Sequence, residues 1–415
     1  MSIVLLAIGL TALLLPVNAY LPRRGSLLLM ASFFAAWFTI ELAYHLLVVE
    51  IAALAAAAAL GGLHGWPGWT GLACGLLGAA ALVAIILRAR TTTLTFRESG
   101  VEYDLDPEGA PRFPVSHVVN PARAFLPRRG VRAVRGVPYG VGWFRKTDVF
   151  MPRTEGRLRP GLMQIHGGGW IVGGRGEQGL PLLNHMAAQG WVGFNVGYRL
   201  SPFSVWPEHL VDLKHFVAWY REHAEEYGAD PDFLCVTGGS AGGHLTAMVA
   251  LTAGKPEFQP GFEDADTSVR AAVPFYGVYD FAGRETWRKP WGVNAIVERL
   301  VMQRRQEDDP EAYVQASPIA HVREGAPPFL VIHGDADSLI PVAEARTFVE
   351  RLRGTAEAPV LYAEMKGGQH AFDIFPSYRT ARVVEGVERY LTGLHRQYRE
   401  GARPSVPDEV AESLG

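Results

Sequence analysis

The chain has few cysteines and no excess of either charge. Only two of its 415 residues are cysteine, and its 39 basic and 42 acidic residues leave a formal net charge of −3. Cys74 lies in an apolar stretch and Cys235 in a strand-like stretch, so a disulfide framework is excluded and both are expected to be small core residues. The near-neutral charge argues against nucleic acid as the main partner.

Two groups of motifs are missing as well. The chain has no H-E-x-x-H and no Cys/His cluster, so we predict that it holds no metal ion. It also has no G-x-x-x-x-G-K-[ST], and no G-x-G-x-x-G at a strand-to-helix turn. Its glycine clusters are therefore not phosphate-binding loops.

The first 90 residues contain very few charged side chains, which are Arg23, Arg24, Glu41, Glu50, Arg88 and Arg90. A helix that crosses a bilayer needs about 20 apolar residues, and three stretches qualify: Ser2–Ala19, Ser26–Val49 and Trp69–Leu87. The first lacks the basic start and the cleavage site of a signal peptide. We therefore predict a transmembrane region over residues 1–90, with about three helices.

One pair of polar residues lies inside the second stretch. Glu41 and His45 are four residues apart, so on one continuous helix they would share a face and could satisfy each other. We interpret them as a helix-packing pair or a surface pair, and a polar intramembrane site remains the alternative.

Basic residues predict the orientation. Arg23 and Arg24 follow the first stretch, and Arg88, Arg90 and Arg97 follow the third, whereas the intervening loop has neither Lys nor Arg. The positive-inside rule then makes the chain a multi-pass protein of the cell membrane with its large domain in the cytoplasm.

The rest of the chain divides into three parts. Residues 91–147 form a basic connector with an acid-free run from Arg112 to Lys146, either a solvated face or a contact with anionic headgroups. Residues 148–399 alternate apolar strands with helices, which predicts an α/β domain whose mostly parallel sheet has helices on both faces. Residues 400–415 form a flexible tail.

A glycine-rich turn marks the candidate nucleophile. The apolar strand Phe233–Thr237 runs into Gly238-Gly239-Ser240-Ala241-Gly242-Gly243, and a helical stretch follows. This is G-x-S-x-G between a strand and a helix, the context of a nucleophile elbow that exposes a serine hydroxyl.

A second glycine loop follows the strand Leu162–Ile165 and reads His166-Gly167-Gly168-Gly169-Trp170. Successive glycines let backbone N–H groups point at developing negative charge, and the Ala241 N–H, next to the serine, would complete such an oxyanion hole. We expect His166 to support this loop.

A base and an acid are available in later loops. The strand Phe329–Ile332 leads into a loop with Asp335 and Asp337, and the strand Val360–Tyr362 leads toward His370. Carboxyl ends of parallel strands meet at one edge of the sheet, so these side chains are expected near Ser240.

These motifs resemble those of the α/β-hydrolase superfamily, in its esterase/lipase group related to hormone-sensitive lipase, over about residues 148–395. The motifs that carry the resemblance are His166–Trp170, Tyr198–Pro202, Asp230-Pro231, Gly238–Gly243, His333–Pro341 and Gly368–His370.

The resemblance implies catalytic roles for Ser240, Asp337 and His370, and an oxyanion hole of the Gly168, Gly169 and Ala241 N–H groups, with His166 and Trp170 as supporting residues. Asp337 is chosen over Asp335 because it stands four residues before a proline. The chain departs from the group at Gly239, where an acid is common, and in having a membrane region where the group has a helical cap.

The expected activity is that of a membrane-anchored serine esterase that needs no cofactor and cleaves a small-molecule or lipid ester through an acyl-enzyme. An amide hydrolase of the same fold and a non-catalytic hydrolase-fold receptor or scaffold remain alternatives. Residues 281–322 are either a lid or an ordinary packed segment. The sequence does not indicate the acyl length or the oligomeric state.

Overall fold

The computed structural model describes residues 1–23, 28–101, 113–285, 295, 297–401 and 404, with only the backbone at 124 and 125. Eight strands in this part of the chain form one sheet, in the order β1-β2-β4-β3-β5-β6-β7-β8. They are β1 Val131–Pro138, β2 Lys146–Pro152, β3 Arg159–Ile165, β4 Val192–Val196, β5 Ala229–Gly239, β6 Ala271–Phe275, β7 Phe329–Gly334 and β8 Val360–Met365.

The sheet is mostly parallel, as expected. Only β2 runs against its neighbours β1 and β4, and the pairs from β4 to β8 are all parallel. Strands β3 to β7 are almost fully buried, which explains why they are continuous apolar runs. The predicted fold class is confirmed.

The sheet begins earlier than residue 148. Strand β1 and the start of β2 lie within the segment that we assigned to the connector, 91–147. Strand β1 is an edge strand of mostly half-buried and exposed residues, with Arg132 and Arg135 among the exposed ones. Because an edge strand tolerates exposed charged side chains, its composition resembled that of a basic linker.

Helices cover both faces of the sheet. Helices α8, α9 and α11 contribute to one buried apolar cluster, and α7 and α12 contribute to the cluster on the opposite face. The α-helices in chain order are α1 Ser2–Tyr20, α2 Leu29–Glu41, α3 Ala43–Ala57, α4 Gly65–Ala89, α5 Thr92–Glu98, α6 Val115–Val119, α7 Leu180–Ala188, α8 Glu208–His223, α9 Ala241–Leu251, α10 Pro310–Gln315, α11 Ala343–Arg353 and α12 Tyr378–Arg399.

Three helices of the described chain are long and apolar enough to cross a membrane: Ser2–Tyr20, Ala43–Gly62 and Gly65–Glu98. The number agrees with the sequence analysis, but the second span is displaced. The predicted stretch Ser26–Val49 is not one helix, because the backbone leaves helical geometry at Leu42 (φ −105°, ψ 21°). Helix α2 is therefore a separate element, too short at 13 residues to span a bilayer alone.

Glycines allow α1 and α4 to pack closely. A Cβ at Gly9 would overlap the carbonyl oxygen of Gly71, and one at Gly78 would come within 2.5 Å of the Ala12 oxygen. Small residues at such crossings let helix backbones approach, as is common between membrane helices. Since the contacts advance in the same direction along both chains, α1 and α4 are parallel, and their carboxyl ends lie together.

The basic run of residues 112–146 is not one free face. Arg135 Nη1 lies 2.8 Å from Asp148 Oδ2, and Arg145 Nη2 lies 2.6 Å from Asp212 Oδ1. Both acids lie outside the run in the sequence, so its pattern of charges did not indicate these ion pairs. Exposed basic residues of the run are Arg123, Arg129, Arg132 and Arg135, and Arg112 lies outside the described residues.

Part of the segment 281–322 is packed core. Val297, Val301 and Met302 are buried in the same apolar cluster as α8 and α9, and the Trp206 N–H donates to the Val301 oxygen at 3.0 Å. This favours an ordinary packed segment over a lid for these residues. Trp287, Trp291 and Ile296 lie outside the described residues.

A buried lysine supports the helix that follows the candidate nucleophile. Lys214 of α8 is fully buried, and its Nζ donates to the carbonyl of Thr252, the C-cap of α9. A cation at a helix C-terminus is favourable, but burial lowers the pKa of Lys214 to about 7.

We expect Lys214 to make the stability of the protein rise with pH between about 7 and its usual 10.5. In that window the unfolded chain binds the proton and the folded chain does not, so the free energy of unfolding increases by up to about 1.4 kcal/mol per pH unit. Lys214→Met should remove this increase in the free energy of unfolding. Denaturant titrations of the detergent-solubilised protein at several pH values measure it. The exposed Lys366→Met is the control, and equal pH slopes for wild type and Lys214→Met would contradict the expectation.

Candidate active site

Ser240 stands between the end of β5 and the start of α9 in a strained conformation, with φ 59° and ψ −120°. Its N–H donates to the Phe275 oxygen at 3.0 Å. The flanking glycines are required, because a Cβ at Gly238 would approach the Ile165 oxygen to 2.5 Å and one at Gly242 would overlap it. The turn therefore has the geometry expected of a nucleophile elbow.

His370 and Asp337 meet at the same edge of the sheet. His370 lies beyond the end of β8 and Asp337 beyond β7, and His370 Nδ1 lies 2.7 Å from Asp337 Oδ2. Both side chains are buried. The aspartate thereby selects the tautomer with the proton on Nδ1, which leaves Nε2 as a proton acceptor.

The Asp337 carboxylate has further partners. Its Oδ1 accepts the N–H groups of Leu339 and Ile340, each at 2.8 Å, and its Oδ2 lies 3.2 Å from His333 Nε2. Burial alone would raise the pKa of Asp337, but the neighbouring His370 and His333 outweigh burial and lower it below its usual range. The carboxylate therefore stays ionised at neutral pH.

Asp335 has a different position. Its Oδ1 accepts the Gly367 N–H at 2.6 Å, and Arg88 Nη2 at the end of α4 lies 3.7 Å from Oδ2. Asp335 thus connects the loop after β7 to the loop that carries His370.

The glycine loop after β3 lies beside the elbow. A Cβ at Gly167 would lie 3.1 Å from the Cβ of Ser240. Gly168 and Gly169 have φ values of 118° and 62°, so both use the left-handed region that glycine tolerates. Among the described residues, none accepts a hydrogen bond from the N–H of Gly168, Gly169 or Ala241, which leaves these three donors available.

His166 and Trp170 hold the ends of the glycine loop. The His166 ring stacks on Tyr198 at 4.4 Å, and the Tyr198 hydroxyl donates to the His166 oxygen at 3.0 Å. Burial lowers the pKa of His166 to about 4, so its ring is neutral. Trp170 Nε1 donates to His244 Nδ1 at 3.3 Å.

Tyr276 connects His370 with the elbow. Its ring centroid lies 4.6 Å from that of His370, and its hydroxyl would lie 2.5 Å from a Cβ at Gly239. The hydroxyl donates to Asp373 Oδ1. Tyr276 thus occupies the space of a side chain at position 239, which explains the glycine there. Sequence reasoning missed Tyr276 and Asp373, although Asp373 lies only three residues after His370.

Helix α2 lies against the loop of His370. The Phe33 ring centroid is 6.1 Å from that of His370 in an edge-to-face arrangement, and Trp37 Nε1 donates to the Ala371 oxygen at 2.9 Å. The sequence did not indicate this contact. The aromatic residues of α2 lie in an apolar stretch, and the sequence analysis therefore predicted that stretch as an ordinary membrane helix.

Glu41 and His45 do not pair with each other, contrary to our expectation. The break at Leu42 separates their helices, and Glu41 Oε1 lies 3.3 Å from Arg379 Nε at the start of α12. His45 Nε2 lies 3.2 Å from the Val119 oxygen instead. The described residues contain no group of three or more His, Cys, Asp or Glu that could hold a metal ion.

The family and relatives of this chain agree with its fold. The BD-FAE family model matches residues 147–352. The probable carboxylic ester hydrolase LipM of Mycobacterium tuberculosis is 46% identical over 261 residues, which cover 63% of this chain and 59% of LipM. This chain is an α/β-hydrolase by its fold, and it is similar to the esterase/lipase group related to hormone-sensitive lipase. The resemblance found in the sequence is confirmed.

Other comparisons extend over similar parts of this α/β-hydrolase. Esterase LipQ of the same bacterium is 41% identical over 283 residues, 66% of each chain. A truncated carbohydrate esterase from gut microbiota matches with a TM-score of 0.57 at 21% identity, over 65% of this chain and 99% of that one, and this likeness concerns the fold alone. The match spans about three-fifths of LipM and just under two-thirds of LipQ.

The matched family segment includes Ser240 and Asp337 but ends before His370. The position of His370 therefore rests on the geometry of this hydrolase, above all on its hydrogen bond to Asp337.

The contact between Tyr276 and position 239 gives a stability prediction. Gly239→Ala should destabilise the hydrolase by about 1–3 kcal/mol, because its Cβ overpacks against the Tyr276 hydroxyl. In the double variant Gly239→Ala/Tyr276→Phe, part of that cost should disappear, since the hydroxyl is gone. Denaturant unfolding of the wild type, the two single variants and the double variant measures the coupling free energy between positions 239 and 276. Additivity within about 0.5 kcal/mol would contradict the proposed contact.

Proposed function

We propose that this chain is a membrane-attached serine hydrolase that cleaves carboxylic esters through an acyl-enzyme on Ser240. The observation that carries the proposal is the buried hydrogen bond between His370 Nδ1 and Asp337 Oδ2, at the sheet edge where Ser240 occupies a strained elbow. The names of LipM and LipQ, a probable carboxylic ester hydrolase and an esterase, support an ester as substrate.

The first half of the reaction forms the acyl-enzyme. His370 Nε2 takes the proton of the Ser240 hydroxyl as its oxygen attacks the ester carbonyl, and Asp337 stabilises the imidazolium. The tetrahedral oxyanion accepts hydrogen bonds from the N–H groups of Gly168, Gly169 and Ala241. His370 then gives its proton to the leaving alcohol, and the acyl group stays on Ser240.

The second half repeats this chemistry with water. His370 takes a proton from a water molecule that attacks the acyl-enzyme, and the carboxylic acid leaves as Ser240 regains its proton. These residues supply the base, the orienting acid and the oxyanion donors, so the proposed reaction requires no cofactor.

Residues of the N-terminal region attach this domain to a membrane in our proposal. The spans are Ser2–Tyr20, Ala43–Gly62 and the apolar part of Gly65–Glu98. Arg23 follows the first span, and Arg88 and Arg90 end the third, on the side where Arg88 approaches Asp335 of the catalytic domain. By the positive-inside rule this side is the cytoplasm.

Protease added outside intact cells should leave the catalytic domain attached to the N-terminal region, because the domain would lie in the cytoplasm. Release of the domain by the protease would refute this orientation.

Loss of the nucleophile tests the reaction. Ser240→Ala should lower kcat for a short-chain aryl ester by on the order of 10⁶ and abolish labelling by a fluorophosphonate. Ser116→Ala, an exposed serine in α6, is the matched control and should keep both. Unchanged thermal unfolding would show that the variant folds. Activity above a few per cent of wild type would rule out Ser240 as the nucleophile.

A second pair of variants separates the two aspartates of one loop. Asp337→Asn should lower kcat by about 10⁴, because the amide favours the wrong tautomer of His370. Asp335→Asn keeps an oxygen acceptor for the Gly367 N–H and should lose far less. Steady-state kinetics on the same ester measures both. A larger loss for Asp335→Asn would reverse the assignment.

A further inference from the structure

Helix α2 joins the membrane helices to the loop of His370. On one side, Ser32 Oγ donates to Asn18 Oδ1 of α1 at 2.6 Å, and Ala36 and Ile40 pack in one buried cluster with Ile85 of α4. These contacts attach α2 to the carboxyl ends of α1 and α4.

On its other side, α2 has two polar anchors on the catalytic domain. Trp37 donates to the oxygen of Ala371, the residue after His370, at 2.9 Å. Glu41 accepts from Ser377 Oγ at 2.6 Å and pairs with Arg379, and the Glu41 and Arg379 side chains are each only 1% exposed. The helix is therefore held against His370 in one position.

The side chains that α2 carries beside His370 are apolar. Phe33 is 5% exposed, and Phe34 beside it is 44% exposed, with their ring centroids 5.1 Å apart. No charged residue occurs in α2 before Glu41. A polar part of a substrate placed here would lose its hydration without gaining a partner, whereas a hydrocarbon chain would be buried favourably.

We propose that Phe33 is a specificity-determining residue that contacts the hydrocarbon chain of the ester substrate, and that this substrate reaches Ser240 from the bilayer along α2. The substrate class is an ester with a long hydrocarbon chain, dissolved in the membrane. This inference rests on the proposed esterase function. It assigns recognition of the substrate's hydrocarbon chain to the N-terminal region of the protein and not to residues 281–322.

The first test compares two chain lengths on the full-length protein in phosphatidylcholine vesicles. Phe33→Ala should lower the ratio of kcat/KM for p-nitrophenyl dodecanoate to kcat/KM for p-nitrophenyl butyrate by about 10-fold, because apolar contact with the longer hydrocarbon chain is lost. The ratio is the readout because Phe33 also contacts His370, and a change at His370 affects both esters alike. Phe33→Trp keeps an aromatic ring but a larger one. It should also disfavour the dodecanoate, because the larger ring fills the space of the hydrocarbon chain.

The matched control is Phe38→Ala, on the same helix. The Phe38 ring contacts Phe375 at 5.5 Å, and this substitution should leave the ratio of the two kcat/KM values unchanged. If both Phe33 variants change the two esters by the same factor, or change neither, the specificity role is overturned.

The second test addresses the route. Wild-type protein should hydrolyse a long-chain ester dissolved in its own vesicles at least about 10-fold faster than the same ester in separate vesicles, because an insoluble chain crosses water slowly. Equal rates would refute access from the bilayer.

Labelling of Ser240 by a fluorophosphonate and hydrolysis of the butyrate ester distinguish the two levels of proposal. If wild type shows neither, the esterase function fails. If it shows both but has no dependence on Phe33 and on the location of the ester, only the inference about α2 fails.

Discussion

The hydrogen bond between His370 and Asp337 is the interaction on which the rest of the site depends. A histidine in a loop has many rotamers, and its ring must be oriented by groups that are themselves immobile. Asp337 meets this condition, because two backbone N–H groups and His333 occupy its remaining acceptor positions. These contacts fix the oxygens of the carboxylate independently of His370. The fixed Oδ2 then accepts the proton on His370 Nδ1 and so determines the tautomer of the imidazole.

The backbone of the His370 loop is held from both parts of the chain. Within the catalytic domain, Asp335 accepts the Gly367 N–H, and the Arg379 guanidinium donates to the Lys366 and Gly367 oxygens. From the N-terminal region, Trp37 donates to Ala371, whose φ of 61° is unfavourable for a residue with a Cβ. A strained residue next to His370 persists only where its surroundings determine it, and α2 is part of these surroundings.

The features that the sequence predicted well are those with a local cause. Buried parallel strands are continuous apolar runs, and the glycines around Ser240 are needed wherever a strand turns sharply into a helix. The approach of His370 to the loop of Asp335 and Asp337 followed from topology, since neighbouring parallel strands end at one edge, whereas the choice of Asp337 came from the family resemblance. In contrast, the break at Leu42, the pairing of Glu41 with Arg379 and the burial of Tyr276 beside Gly239 depend on contacts between distant segments. The ion pairs of Arg135 and Arg145 were hidden for the same reason.

The buried pair of Glu41 and Arg379 argues that the two parts of the chain form one functional unit. Desolvation makes such a pair a weak source of net stability, but removal of one partner leaves a buried charge uncompensated and typically costs about 3–5 kcal/mol. Removing the N-terminal helices would leave Arg379 without this carboxylate, and the Ala371 oxygen without the Trp37 N–H. Both groups lie within ten residues of His370, so the N-terminal region contributes to the geometry of the candidate active site.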